Sequence, residues 1–322
     1  MPLAREEQIG LYRKMLLIRR FEDRAGWAYT QDKIGGYLHL YIGQEAVACG
    51  FLSAARPDDY VIDAYRDHGH FLARGGDPRA TMAELYGRST GVCRGKGGSM
   101  HLMDRRIHFY GGTGIVGAGV GIGVGLAYAA KYRGEDRICL NFFGDGAVNT
   151  GLFHESFNLA SLWDLPILFI CENNLYAMGT SVERSSAVPR LAERACAYAI
   201  ESTQCDGMDL LRVRECAEPA IARVRETRRP YFVEALTYRY RGHGAADPGT
   251  YRTREQVERW RQRDPIGLLE DHLIQQGALT KEIVEQIADE VEDEVEEILR
   301  FADESPWPPP EALYEGVFAP AP

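Results

Sequence analysis

The chain has 322 residues, of which 45% are apolar, and carries a formal net charge of −10. That size and composition suit a globular fold with a sizeable core, while the acidic balance argues against a nucleic-acid partner, because phosphate backbones are bound through net basic surfaces. Seven cysteines with no CxxC pair read as buried thiols of a reduced, intracellular protein, not as a disulfide framework or a zinc site.

No apolar run reaches the roughly 20 residues of a membrane span. The first residues include Glu6 and Glu7 and have no apolar h-region, unlike a secretory signal or an acid-poor transit peptide, so the expected location is the cytoplasm. Over residues 6–30, Ile9, Leu11, Tyr12, Met15, Leu16, Ile18 and Phe21 have the spacing of an amphipathic helix. Residues 33–50 run through GQEA into a short apolar helix, with His39 between Leu38 and Leu40, where a lone histidine is usually a packing residue. Residues 58–63 contain the strand-like YVI, followed at once by Tyr65 and Arg66. A hydroxyl and a guanidinium at a strand's carboxyl end can both reach a ligand phosphate.

Residues 87–114 form a long glycine-rich stretch of the kind that is functional or disordered in compact domains. Lys96 within it lacks the GxxxxGK[ST] frame and receives no phosphate role. Residues 112–117, GTGIVG, satisfy the dinucleotide-binding GxGxxG. No clear strand precedes them, however, and Glu135 and Asp136 lie in a polar turn instead of ending a second strand. Residues 117–132 read as a helix whose small residues permit close packing.

The most informative stretch is 138–174. Runs 138–143 and 166–171 are apolar enough for strands buried on both faces, and 150–163 has the length and spacing of one helix between them. Such a βαβ unit has parallel strands, so Gly144, Asp145 and Gly146 emerge beside Glu172, Asn173 and Asn174 at the carboxyl edge, where open α/β sheets bind ligands. Asp145 and Asn174 are hard oxygen donors suited to Mg²⁺ when a ligand phosphate completes the octahedron. The glycines let backbone N–H groups approach a diphosphate. Cys139 and Cys171, inside the strands, read as core.

Residues 175–189 read as a loop, 191–198 and 210–228 as helices with a turn at Asp206 and Gly207, and 231–238 as a strand. Residues 239–254 form a basic loop containing His243. The carboxyl third is helical. In 281–304, Ile283, Val284, Ile287, Val291, Val295, Ile298 and Leu299 form one stripe, and eleven acids against two bases occupy the other faces, a pattern usual for a solvated surface. PWPPP from Pro306 ends that helix in an extended tail. The expected fold is α/β, a mostly parallel sheet flanked by helices. We read residues 1–322 as one domain, with helical extensions at about 5–31 and 254–322.

Together with the central stretch, the words KIGGYLHLYIGQEA, AYRDHG, GKGGSMHL, GGTGIVGA, CENNLYAMGTSVER, TYRYRGH and DPGTYRTRE occur in order across about residues 13–318. In these the chain resembles the alpha subunits of the decarboxylating component of 2-oxo acid dehydrogenase complexes, pyruvate dehydrogenase alpha chains most of all. The resemblance implies the diphosphate-binding domain of the thiamine diphosphate-binding fold, with thiamine diphosphate and Mg²⁺ as cofactors. It places the metal on Asp145, Asn174 and the backbone carbonyl of Tyr176. It places the rest of the cofactor against Tyr65, Arg66, Gly114, Val116, Gly144, Gly146, Ala147, Arg239 and His243.

The same resemblance gives His39 and His243 catalytic roles, His243 facing an incoming lipoyl group. An imidazole that titrates near neutrality suits charge stabilisation in acyl transfer. The implied partners are a beta subunit, in a heterotetramer of two alpha and two beta chains, and a lipoyl-bearing acyltransferase. The beta subunit supplies a carboxylate to the aminopyrimidine ring, so this chain alone is expected to be inactive. The substrate is a small 2-oxo acid, pyruvate first, with acetoin dehydrogenase and branched-chain 2-oxo acid dehydrogenase as alternatives. Gly244, Ala246 and Thr250 stand where mitochondrial relatives carry regulatory serines, which argues against inhibition by a dedicated kinase.

Overall fold

Asn141 apart, the two runs of the central stretch are apolar because both of their faces are covered. In the computed structural model, described for residues 3–317, the strands are β1 (Tyr60–Ile62), β2 (Cys139–Gly144), β3 (Ile167–Asn173), β4 (Tyr176–Ala177), β5 (Thr180–Ser181), β6 (Glu201–Asp206) and β7 (Tyr231–Leu236). The α-helices are α1 (Arg5–Thr30), α2 (Glu45–Ala54), α3 (His68–Ala73), α4 (Pro78–Leu85), α5 (Ala118–Tyr132), α6 (Gly151–Leu162), α7 (Val182–Ser185), α8 (Leu210–Thr227), α9 (Arg254–Arg261), α10 (Pro265–Gln275) and α11 (Lys281–Glu304).

Five strands make one sheet in the order β1-β2-β3-β7-β6, and every pair in it is parallel. Successive side chains alternate between faces. Leu140, Phe142, Leu168, Ile170 and Val233 join the core built with α1, α2, α8 and α11. Cys139, Phe143, Ile167, Phe169 and Phe232 join the core under α5 and α6, where Phe157 of α6 stacks on Phe169 at 4.2 Å. Close helix packing depends on individual glycines. A Cβ on Gly50 of α2 would stand 2.4 Å from the Val213 side chain of α8.

The βαβ unit forms as expected: Thr150 caps α6, its hydroxyl accepting the Phe153 N–H, and the β2–β3 register sets Gly144 opposite Glu172. The predicted first helix is α1. The loop over 87–114 is ordered around one carboxylate. Glu84, buried at the end of α4, accepts the N–H groups of Cys93 and Gly95 on Oε2 and of Gly97 and Gly98 on Oε1, at 2.7–3.1 Å. This wrapping explains the glycines, since a Cβ on Gly91 would lie 2.3 Å from Glu84 Oε2 and Gly95 has φ +76°. Lys96 donates to the Glu315 carbonyl at 2.6 Å.

Five expectations need correction. Residues 201–206, passed over between two helices, form β6. Its sequence ESTQCD lacks apolar alternation because it is an edge strand paired only with β7 and exposed at its start. The segment 191–198 is a 3-10 helix, and 175–189 holds the short β4–β5 hairpin and α7. The acids of α11 are only partly solvated: Glu294 pairs with Arg13 at 2.6 Å, Asp303 with Lys33 at 2.7 Å, and Glu292 and Glu296 with Arg24 of α1. Being half-exposed, each pair contributes no more than about 1 kcal/mol, but together they orient α11 on α1.

The tail after α11 folds back instead of extending freely. Pro306 accepts the Ser89 N–H at 3.0 Å, Trp307 lies 3.9 Å beneath the Arg88 guanidinium, and residues 310–314 make a 3-10 turn. The last residues of the expected carboxyl-terminal extension, 318–322, lie outside the described residues. No helix among the described residues is long and apolar enough to cross a membrane.

Replacing Glu84 by Ala removes the acceptor for those four N–H groups. A loss of at least about 2 kcal/mol in unfolding free energy is expected from charge-assisted bonds, with new protease cleavage within 91–98. A denaturant midpoint and cleavage pattern equal to wild type would refute the assignment.

Candidate active site

Because the sheet is parallel, β1, β2, β3 and β7 all end at the same edge. β1 delivers Asp63, Tyr65 and Arg66, β2 delivers Asp145, β3 delivers Asn174, and β7 delivers Arg239. They border a cavity of about 400 Å³, and all thirteen residues singled out from the sequence line it: His39, Tyr65, Arg66, Gly114, Val116, Gly144, Asp145, Gly146, Ala147, Asn174, Tyr176, Arg239 and His243.

One corner of the cavity gathers oxygen around a cation. Arg239, buried, donates from Nη1 to Asn174 Oδ1 at 3.4 Å and to the Tyr176 carbonyl at 3.3 Å, and from Nη2 to the Met178 carbonyl at 3.3 Å. The Asn174 amide is oriented from behind, its Nδ2 donating to Gln44 Oε1 at 3.1 Å. Asp145 is buried beside this group. Burial pushes its carboxyl up to about 6, although Arg239 and the backbone N–H groups of Asp145 and Asn174 oppose the rise. Two of the three oxygens expected to bind a metal therefore already converge on one positive nitrogen, with the carboxylate close by. Among the described residues, no group of three or more His, Cys, Asp or Glu is placed to hold a metal. The donor set here is one carboxylate, one amide and one carbonyl, which fits a hard cation that shares its shell with a phosphate. A Cβ on Gly144 would meet nothing within 4 Å, whereas one on Gly146 would stand 2.7 Å from Ala177 Cβ. Gly144 is thus free of protein packing on its cavity side.

The opposite wall is aromatic. The His39 ring lies 4.7 Å from Tyr65 and 5.2 Å from His243, centroid to centroid, and His243 lies 5.5 Å from Tyr65. Nδ1 of both histidines is buried without a hydrogen-bond partner. Burial pulls His39 down to about 3, with Arg66 and His243 adding to the effect, and burial with Arg66 and Arg239 pulls His243 down to about 4. The expectation that His243 titrates near neutrality is therefore corrected. Burial, reinforced by the Arg66 and Arg239 guanidinium groups, favours its neutral form. Arg66 itself is anchored by backbone, Nη1 to the Leu40 carbonyl and Nη2 to the His243 carbonyl, both at 2.6 Å. It ties the His39 loop to the His243 loop.

Buried polar chains hold these walls. Glu22 of α1 meets His68 Nδ1 at 2.9 Å, His68 Nε2 lies 2.9 Å from Ser99 Oγ, and that oxygen accepts the His39 N–H at 3.2 Å. Sequence reading missed a second network under the cavity floor. His70 Nδ1 lies 2.6 Å from Asp63 Oδ2, and His70 Nε2 lies 3.1 Å from Glu172 Oε1, which also accepts the Tyr41 hydroxyl. Asp63 and Glu172 both line the cavity. The available signal was that each is an acid at the carboxyl end of a buried strand. Nothing local to DHGH marked His70. The GTGIVG segment is not preceded by a ladder strand. Its Gly117, at φ +85°, starts α5 where a Cβ would strike Thr150 Oγ1, and Glu135 and Asp136 take ion pairs with Arg137 and Arg56.

Burial disfavours charge on His70, but Asp63 and Glu172 outweigh it and push the imidazole up to about 10 from its ordinary 6.5. A raised folded-state value adds stability that is complete below 6.5 and lost as pH rises through about 10. Across that window, the denaturant midpoint of the wild type should fall more than that of His70→Gln. Parallel pH profiles for the two would show the imidazole to be neutral.

Comparison with known proteins matches residues 13–311 to the family model described as "Dehydrogenase E1 component". Similar proteins include the pyruvate dehydrogenase E1 component subunit alpha of Rhizobium meliloti (strain 1021), 48% identical over 315 residues that cover 98% of this chain and 90% of that protein. The protein of the same name from Zymomonas mobilis subsp. mobilis is 46% identical, covering 97% of this chain and 89% of its own. The chloroplastic pyruvate dehydrogenase E1 component subunit alpha-3 of Oryza sativa subsp. japonica is 43% identical, covering 98% and 77%.

Proposed function

The chain belongs to the dehydrogenase E1 component family, and from that premise we propose that it is the alpha subunit of a pyruvate dehydrogenase, working with thiamine diphosphate and Mg²⁺. The observation that carries this reading is the convergence of Asn174 Oδ1 and the Tyr176 carbonyl on Arg239 Nη1 beside buried Asp145. Those three oxygens would hold Mg²⁺, with diphosphate oxygens completing its shell. Tyr65, Arg66, Arg239 and His243 would face the diphosphate. The backbone at Gly144, Gly146 and Ala147 would approach it closely, and Gly114 and Val116 would contact the aminopyrimidine.

When bound, thiamine diphosphate supplies the electron sink for decarboxylation of a 2-oxo acid. This chain's residues bind, orient and shield it. Arg66 and Arg239 provide the positive field for a polyanion in a site whose own histidines are neutral. An arriving anion offsets both guanidinium charges, which raises the proton affinity of His243, and its free Nδ1 can then hold or give up a proton during transfer to a lipoyl group. His39, packed against Tyr65, shapes the same wall.

The reading includes a beta subunit that completes the site in a two-alpha, two-beta assembly, a lipoyl-bearing acyltransferase as acceptor, and a place in the cytoplasm. The test is turnover with an artificial electron acceptor after co-expression with a candidate beta chain, comparing pyruvate, acetoin and a branched-chain 2-oxo acid. Cofactor-dependent turnover of pyruvate, absent from either chain alone, is the expected result. A preference for acetoin or the branched-chain acid would move the substrate, and no turnover in an assembled complex would overturn the reading.

In that complex Asp145→Ala should weaken Mg²⁺-dependent cofactor binding at least about tenfold, or ~1.4 kcal/mol. Tyr176→Phe should leave binding within about twofold, because the carbonyl and not the ring is used and the phenol bonds Gln256, at 3.0 Å, away from the metal corner. Calorimetric titration with thiamine diphosphate checks both. Unchanged affinity in Asp145→Ala would remove this residue from the metal site.

A further inference from the structure

The edge strand β6 and helix α8 enclose a second cavity, of about 650 Å³, that shares no lining residue with the one above. Cys205, on β6, and Cys216, on α8, both line it. Cys205 is buried and Cys216 partly exposed, and the two thiols interact with each other. Other thiols differ in setting. Cys49, Cys139 and Cys171 are sealed in the core, and Cys93 donates to the His101 carbonyl at 3.4 Å.

We propose that Cys205 and Cys216 are a hydroperoxide-reactive dithiol that closes to an intrachain disulfide between β6 and α8. The residues are eleven positions apart, and both elements are short-range neighbours in the fold, so closure links parts already packed together. Their roles differ. Cys205 is buried between the strand and the helix, whereas Cys216 is partly exposed on the cavity wall. Cys216, the more accessible sulfur, is the nucleophile.

In the first step Cys216 sulfur attacks a peroxide oxygen. An S–O bond forms, the O–O bond breaks, and the departing oxygen leaves as water with the Cys216 proton when the oxidant is hydrogen peroxide. In the second, Cys205 sulfur attacks Cys216 sulfur, the S–S bond forms, and the S–O bond breaks as hydroxide leaves with the Cys205 proton as a second water. Two thiols are oxidised and one peroxide is reduced. The reaction does not involve the cofactor cavity, and its test is independent of the proposed activity.

The experiment treats the reduced full chain with hydrogen peroxide, alkylates the remaining thiols and maps the peptides without reductant. The expected result is the loss of two alkylatable thiols and a Cys205 peptide joined to the Cys216 peptide, separated again by dithiothreitol. In Cys205→Ser, oxidation should stop at Cys216 as a sulfenic acid that dimedone captures. The proposal is overturned if both residues in the wild type stay alkylatable while exposed Cys196 is oxidised, or if either is found joined to a different cysteine.

Discussion

A parallel ladder points all of its strands the same way, and most of this structure follows from that constraint. With β1, β2, β3 and β7 side by side, the first polar residues beyond each strand have no other place to go than one edge. The register refines the arrangement: Gly144 sits opposite Glu172 and Asn173 opposite Leu236, so Asp145 and Asn174 leave the sheet as neighbours and Arg239 follows within reach of both. A slip of one residue in β2 or β3 would turn Phe142 and Ile170 to the wrong core and take Asp145 from the cavity. The apolar packing of both faces, through Phe169 on Phe157 and Leu140 with the α1 side, is what holds that register.

The charges around this edge are arranged in layers. In front, Arg66 and Arg239 face the cavity with neutral His39 and His243. Behind the floor, Asp63 and Glu172 are paired through His70, so the acids nearest the cavity carry their own compensation. Burying such a triad is costly unless every partner is in place. Here one imidazole offsets part of the charge of the two acids that border the cavity. Backbone carbonyls of Leu40 and His243 take the Arg66 donors, which fixes the guanidinium without neutralising it. Glu84 does the converse for the glycine-rich loop, concentrating one negative charge on four backbone N–H groups.

Outside the site, the α1–α11 contact shows how a highly charged sequence packs. The apolar stripe of α11 fixes which face turns inward, and arginines of α1 then meet acids at its rim. The tail returns over the glycine-rich loop through Trp307 on Arg88, a contact between residues more than two hundred positions apart.

The sequence by itself determined the elements whose local signal is strong. The buried runs of β2 and β3, capped α6, amphipathic α1 and α11 and the strand-end pair Asp145 and Asn174 were legible, because apolar periodicity and polar clusters at strand ends are properties of short segments, while Gly114, Val116, Tyr176, Arg239 and His243 were placed by the family resemblance. Edge strand β6 was not legible, since only Cys205 in it is buried and a strand without one buried face carries no apolar alternation. The proton affinity of His243 was not legible either, because it depends on burial and on two arginines brought from positions 66 and 239. Only the tertiary structure set His70 between Asp63 and Glu172, wrapped the glycine loop around Glu84 and brought Cys205 to Cys216. These are long-range pairings, and burial gives them an energetic consequence that no residue has in isolation.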